Sequence, residues 1–252
     1  MRYFAVISFD GTDYIGWQKQ QNGDLSVQFQ IENALRLLLK QDIEVVGCGR
    51  TDAGVHAKNY HLHFDSVLIE DIDNLIFRMS RIVPISIAIH DIFVVNEQAH
   101  ARFDAIERSY FYRLKNEANP FENRFCFHYP YADTLNLSTL NEAAAVLLQY
   151  DDFYTFCKTH TDVKTTVCKV TKSEWIYDDE AKIFKYHITS DRFLRGMIRL
   201  IVGMCLNVNR NNISLEDVHK ALKNKERLNK DWSVESKGLF LHGIKYPENI
   251  KA

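Results

Sequence analysis

Lys169-Val170-Thr171-Lys172-Ser173-Glu174-Trp175-Ile176-Tyr177 and Lys182-Ile183-Phe184-Lys185-Tyr186-His187-Ile188-Thr189-Ser190 flank the short run Asp178-Asp179-Glu180-Ala181. Both arms are rich in β-branched and aromatic residues, and the polar centre suits a turn. The stretch therefore reads as a β-hairpin. A hairpin pairs its strands antiparallel, which argues against a regular β-α-β alternation and for an α+β fold.

The chain outward from this hairpin has the same character. Upstream, residues 107–115 and 125–130 read as strands, and Ser138 reads as the cap of a helix running to about Gln149. Downstream, 193–206 is apolar enough for a buried helix, Ser214 caps a short helix, and 238–244 reads as a last strand. In the first half, Tyr3, Ala5, Ile7 and Phe9 alternate along a strand that Asp10-Gly11-Thr12-Asp13 breaks. Ser26 caps a helix with Val27, Ile31, Leu35 and Leu38 at helical spacing. Strands are expected from Ile43 to Cys48, around Tyr60, Leu62 and Phe64, and over 86–95, with a helix over 72–79 that Pro84 ends. The expectation is antiparallel strands with helices on one side, in two α+β halves. Residues 1–105 carry the glycine-flanked loop described next, and 106–252 carry the aromatic strand and a basic stretch.

That loop is Gly49-Arg50-Thr51-Asp52-Ala53-Gly54-Val55-His56-Ala57. Glycine tolerates conformations that bring a backbone close to a substrate. An Asp in such a turn serves as general base, metal ligand, nucleophile or turn-former. Gly47-x-Gly49 lacks the third glycine of a dinucleotide fingerprint, and no GxxxxGK[ST] occurs, which argues against a phosphate-cradling nucleotide site. His61 and His63 fall on one strand face with His56 nearby, but no carboxylate or cysteine completes a metal set. They read as ordinary positions of a half-solvated strand.

Composition narrows the class. The 252 residues are 46% hydrophobic and 25% charged, with a formal net charge of -2, so bulk charge alone does not mark a nucleic-acid binder. The charge is uneven, however. Between 185 and 230, ten Lys and Arg face four acids, a local excess of about +6 that suits a polyanion. Five cysteines without CxxC spacing suit a reducing, cytoplasmic setting. The chain opens on a strand pattern and holds no run of spanning length, so neither a signal peptide nor a membrane partner is expected. Tyr110 and Tyr112 share a strand face, with Arg108, Arg113 and Lys115 adding charge, an arrangement for stacking a base and holding phosphate as much as for a core. Arg199 lies within the apolar run 193–203, where a charge needs a partner. Asp52 is the partner expected.

Together these segments resemble the TruA family of tRNA pseudouridine synthases. Phe9-Asp10-Gly11-Thr12-Asp13-Tyr14-Ile15-Gly16-Trp17-Gln18 is similar to its N-terminal signature, and 49–57 to its catalytic loop. Ala101-Arg102-Phe103-Asp104-Ala105 with Arg108 and Tyr110 resembles its tyrosine motif, and 193–203 and Gly238-Leu239-Phe240-Leu241 its later motifs. Asp151-Asp152-Phe153 departs from the family's His-Asp-Phe. The resemblance implies a pseudouridine synthase fold, with two RNA-recognition-like halves sharing an extended, mainly antiparallel sheet around a cleft. It implies a homodimer whose partner is tRNA, bound by the anticodon stem-loop. The reaction converts uridine to pseudouridine at tRNA positions 38, 39 and 40 with no cofactor and no metal. By position, Asp52 is the nucleophile, Tyr110 stacks on the target base, Arg199 pairs with Asp52 and Arg50 helps extrude or replace the uridine. The alternative from the basic stretch and aromatic strand is a non-catalytic tRNA-binding or tRNA-folding chaperone.

Overall fold

The computed structural model describes residues 1–20, 25–158 and 164–251. The chain divides into two compact units, 1–108 with 240–252, and 109–239. In chain order the first contains β1 (Arg2–Phe9), α1 (Val27–Leu39), β2 (Val46–Gly47), β3 (His56–Asp65), α2 (Ile72–Ile82) and β4 (Ile87–Val95). There follow β5 (Glu107–Lys115), β6 (Phe127–His128), α3 (Leu137–Ala145), β7 (Val170–Asp178), β8 (Ile183–Ser190), α4 (Met197–Asn209), α5 (Leu215–Asn224) and β9 (Leu239–Lys245).

In the first unit β1 is flanked antiparallel by β3 and β4, with Tyr3 opposite Phe64 and Val94. Short β2 also pairs antiparallel with β3, while β9 returns parallel to it, Phe240 opposite His56. Tyr3, Ala5, Ile7 and Phe9 are buried as their alternation requires. Phe4, on the other face, is fully buried too, against Val95, Ala99, Ala101, Phe93, Tyr246 and Ile250. Residues 93–101 and the C-terminal segment thus cover a face that alternation alone leaves to solvent. Ser26 caps α1 through its side chain to Phe29 N at 3.2 Å, and Asp71 caps α2 through Asn74 N at 2.9 Å.

In the second unit the expected hairpin is present. β7 and β8 pair antiparallel with Trp175 opposite Tyr186, Lys182 takes the left-handed turn position at φ 53°, and Asp178 Oδ1 accepts from Ala181 N at 3.0 Å. Strand order is β5-β8-β7, with β6 parallel to β5. Asn141 of α3 brackets the backbone of Trp175, accepting from its N–H at 2.7 Å and donating to its carbonyl at 2.9 Å. α4 is buried almost all round, and a Cβ on its Gly203 would lie 1.8 Å from Trp232 O. Ser214 and Asp217 form a capping box on α5.

Each unit is therefore α+β with mainly antiparallel strands. Several expected boundaries shift for local reasons. The cap of α3 is Asn136, which accepts from Thr139 N at 3.1 Å, and Ser138 instead donates to Glu142 within the first turn. The α-helix ends at Ala145 and tightens into a 3₁₀ turn to Gln149. The apolar run at 193 becomes helical only at Met197, because Gly196 sits at φ 72°. The strands expected over 43–48 and 125–130 shrink to two residues each. No helix among the described residues is long and apolar enough to cross a membrane.

Candidate active site

The loop 49–57 connects β2 to β3 and is strapped to the segment 9–18. Trp17 N donates to Thr51 O at 3.2 Å, Gly54 N to Tyr14 O at 3.4 Å, and Gly16 forms an isolated antiparallel bridge with Asp52. Val55 N donates to Asp52 O at 3.2 Å and closes the turn, with Gly54 at φ 75°. Tyr60 Oη donates to Gly49 O, and Trp17 stacks on the Tyr60 ring at 4.2 Å.

The glycines have distinct tasks. A Cβ at Gly16 would lie 2.4 Å from Thr51 O, and Gly16 holds φ 115°. A Cβ at Gly11 would lie 2.0 Å from Val55 O, and one at Gly47 would strike Tyr60 and Trp17. Gly49 is different, because nothing within 4 Å would meet its Cβ. Strain in the loop therefore falls on Gly54 and its supports fall on the 9–18 segment, while the glycine beside Arg50 faces open space.

Within this frame Arg50 is exposed, Thr51 is buried and Asp52 is half-buried. A cation and a carboxylate thus leave one short turn with an inward residue between them. Arg50 Nε donates to Gln18 Oε1 at 3.1 Å. Arg50 also lines a cavity of about 440 Å³ with Trp17, Gly47, Gly49 and Arg102. At the loop's end His56 is buried, its Nδ1 accepting from Gly11 N at 3.1 Å and its ring stacked on Phe240 at 4.6 Å.

Arg108, which the sequence leaves as open to phosphate as to an ordinary strand, has backbone partners in the first unit. Its guanidinium donates to the carbonyls of Arg102 at 2.6 Å, Ala105 at 3.1 Å and Cys48 at 3.2 Å. It ties the start of β5 to the residue before the 49–57 loop, a contact sixty residues apart in sequence that no local pattern signals. His63 is also more buried than a half-solvated strand predicts. Its Nδ1 accepts from Ala101 N at 3.1 Å, and burial, with Arg2 and His100 adding, pushes its pKa down to about 4. Burial likewise lowers His61 to about 4.

In the second unit Tyr110 and Tyr112 part company. Tyr112 is fully buried and donates to Glu235 O at 2.8 Å, and burial raises its pKa well above 10.0. Tyr110 is half-buried, with Phe193 edge-on at 5.1 Å. Arg199, on the first turn of α4, is half-buried rather than enclosed, and its Nε donates to Val234 O at 2.6 Å. Several members of the basic stretch have acids outside the stretch. Lys225 pairs with Asp152 at 2.8 Å, Arg227 with Asp231 at 3.2 Å and Lys185 with Asp178 at 3.8 Å, while Arg210 lies over the Tyr131 ring. The local excess of charge is accordingly smaller than the linear count suggests.

Mixed α+β units with mainly antiparallel strands are consistent with the fold of a pseudouridine synthase. The profile of the tRNA pseudouridine synthase family matches residues 143–247. The chain is 41% identical over 249 residues to tRNA pseudouridine synthase A of Azobacteroides pseudotrichonymphae, covering 99% of this chain and 98% of that protein. It is 40% identical to the protein of the same name from Bacteroides fragilis, again over 99% and 98%. It is 34% identical to tRNA pseudouridine synthase A 1 of Clostridium tetani, over 96% and 98%. The chain belongs to the TruA family of tRNA pseudouridine synthases. It is an isomerase that acts on tRNA.

Proposed function

We propose that this enzyme isomerises uridine to pseudouridine in the anticodon stem-loop of tRNA, at positions 38, 39 and 40, with Asp52 as the nucleophile. The observation that carries the reading is the Gly16–Asp52 bridge, which holds one half-buried carboxylate on a turn fixed by backbone hydrogen bonds. The reaction breaks the N-glycosidic bond, turns the uracil and rejoins it through carbon, so nothing is oxidised. A carboxylate nucleophile divides that exchange into two easier steps. The target base must first leave the stack, at a cost of a few kcal/mol. Arg50, Tyr110 and Arg199 are assigned to substrate binding, with Tyr110 stacking on the base and Arg50 entering the space it vacates. The half-exposed ring of Tyr110 and the open surroundings of Gly49 support these roles. The two units are read as RNA-recognition-like halves, and the working form as a cytoplasmic homodimer.

Tritium release from C5-labelled uridine in tRNA tests the reaction, and pseudouridine mapping tests the positions. Asp52→Asn should keep the fold and tRNA binding and stop release. Retained turnover would remove Asp52 from the nucleophile role.

A further inference from the structure

We infer that Gln18 is a positioning residue for Arg50, the end of a polar relay that runs from a buried carboxylate to the candidate site. Gln18 Oε1 accepts from Arg50 Nε at 3.1 Å, and Gln18 Nε2 donates to Gln28 Oε1 at 2.9 Å. Gln28 Oε1 is also held by Lys19 N at 3.0 Å, which fixes the orientation of its amide. Gln28 Nε2 then donates to Glu32 Oε1 at 3.0 Å and to Val45 O at 3.2 Å. Glu32 is 2% exposed. Its carboxylate is met by Lys19 Nζ at 3.3 Å, Arg36 Nη2 at 3.4 Å and Val45 N at 3.3 Å.

Each link determines the next. A buried anion with cations and amides about it is a fixed point, because moving it would strand a charge. It orients Gln28, Gln28 presents an acceptor to Gln18, and that choice leaves the Gln18 carbonyl turned toward Arg50. Arg50 is exposed and carries several rotatable bonds, so an acceptor on Nε removes freedom that would otherwise be lost at extrusion. Because only Nε is engaged by Gln18, this contact does not use the two terminal nitrogens.

The inference rests on the role proposed for Arg50, and the test separates the two. Arg50 is proposed to enter the stack only after the base has left, so its positioning should act on kcat rather than on tRNA affinity. Gln18→Leu is expected to lower kcat by about fivefold, the loss of one charge-assisted hydrogen bond at an exposed site. The dissociation constant for tRNA and the melting temperature should stay as in the wild type. In an Arg50→Ala background Gln18→Leu should have no further effect, the signature of residues acting as one unit. If Arg50→Ala slows turnover while Gln18→Leu runs at the wild-type rate, or multiplies with Arg50→Ala, the relay is overturned and the role of Arg50 stands. If Arg50→Ala itself runs at the wild-type rate, the role of Arg50 and the relay fall together.

Discussion

Gly16 and Asp52 meet backbone to backbone, and a side chain at Gly16 would come within 2.4 Å of the Thr51 carbonyl beside the carboxylate. Gly16→Ala therefore has both a steric and a conformational penalty, since φ 115° is foreign to alanine. The expected cost is about 1–3 kcal/mol of stability, with turnover reduced as the loop is displaced. Thermal unfolding and tritium release check the two parts. An alanine variant that melts and turns over like the wild type would mean that the loop does not depend on this contact.

Gly49 supplies the contrasting case. Nothing in the first unit lies within 4 Å of its missing Cβ, so Gly49→Ala should melt as the wild type does. If RNA approaches this open face, the added methyl group should lower kcat/KM for tRNA. Unchanged kinetics would place the substrate elsewhere.

Tyr110 and Tyr112 make a paired test. Tyr112→Phe removes a buried donor from Glu235 O and should cost about 1–2 kcal/mol of stability while leaving kcat intact. Tyr110→Leu should leave stability close to wild type and reduce turnover, as loss of a stacking platform requires. The opposite pattern would exchange the structural and functional tyrosines.

Acid should weaken the first unit. Burial lowers His61 and His63 from 6.5 to about 4, so the unfolded chain takes up their protons at a higher pH than the folded one. Their contribution is present above about 6.5 and lost as pH falls toward 4. Urea midpoints at pH 7.5, 6 and 5 should fall in that order. His63→Asn, whose carbonyl can still accept from Ala101 N, should flatten the dependence. A midpoint constant from pH 7.5 to 5 would show that these imidazoles titrate normally.

Much of the fold is legible in local sequence because it is locally determined. The alternation along β1, the hairpin about 178–182, Ser26 and the Ser214 capping box are decided by residues a few positions apart. The same holds for the turn at Asp52, which the Val55 N–H closes onto the Asp52 carbonyl with Gly54 between them. The chain by itself therefore announces α+β character with antiparallel strands and a carboxylate on a glycine-flanked loop. The support of that loop is not legible in this way. Arg108 reaches the Cys48 carbonyl and Gly16 meets that of Thr51, groups that every sequence contains, and the Gln18 and Arg50 side chains meet across a similar stretch of thirty to sixty residues. Likewise Tyr110 and Tyr112 share a strand face, yet Tyr112 is buried with its hydroxyl on the Glu235 carbonyl while Tyr110 is half-buried beside Phe193. Local periodicity gives each side chain a face. Only tertiary packing decides what that face meets, because steric and hydrogen-bonding partners are set by distance in space rather than along the chain.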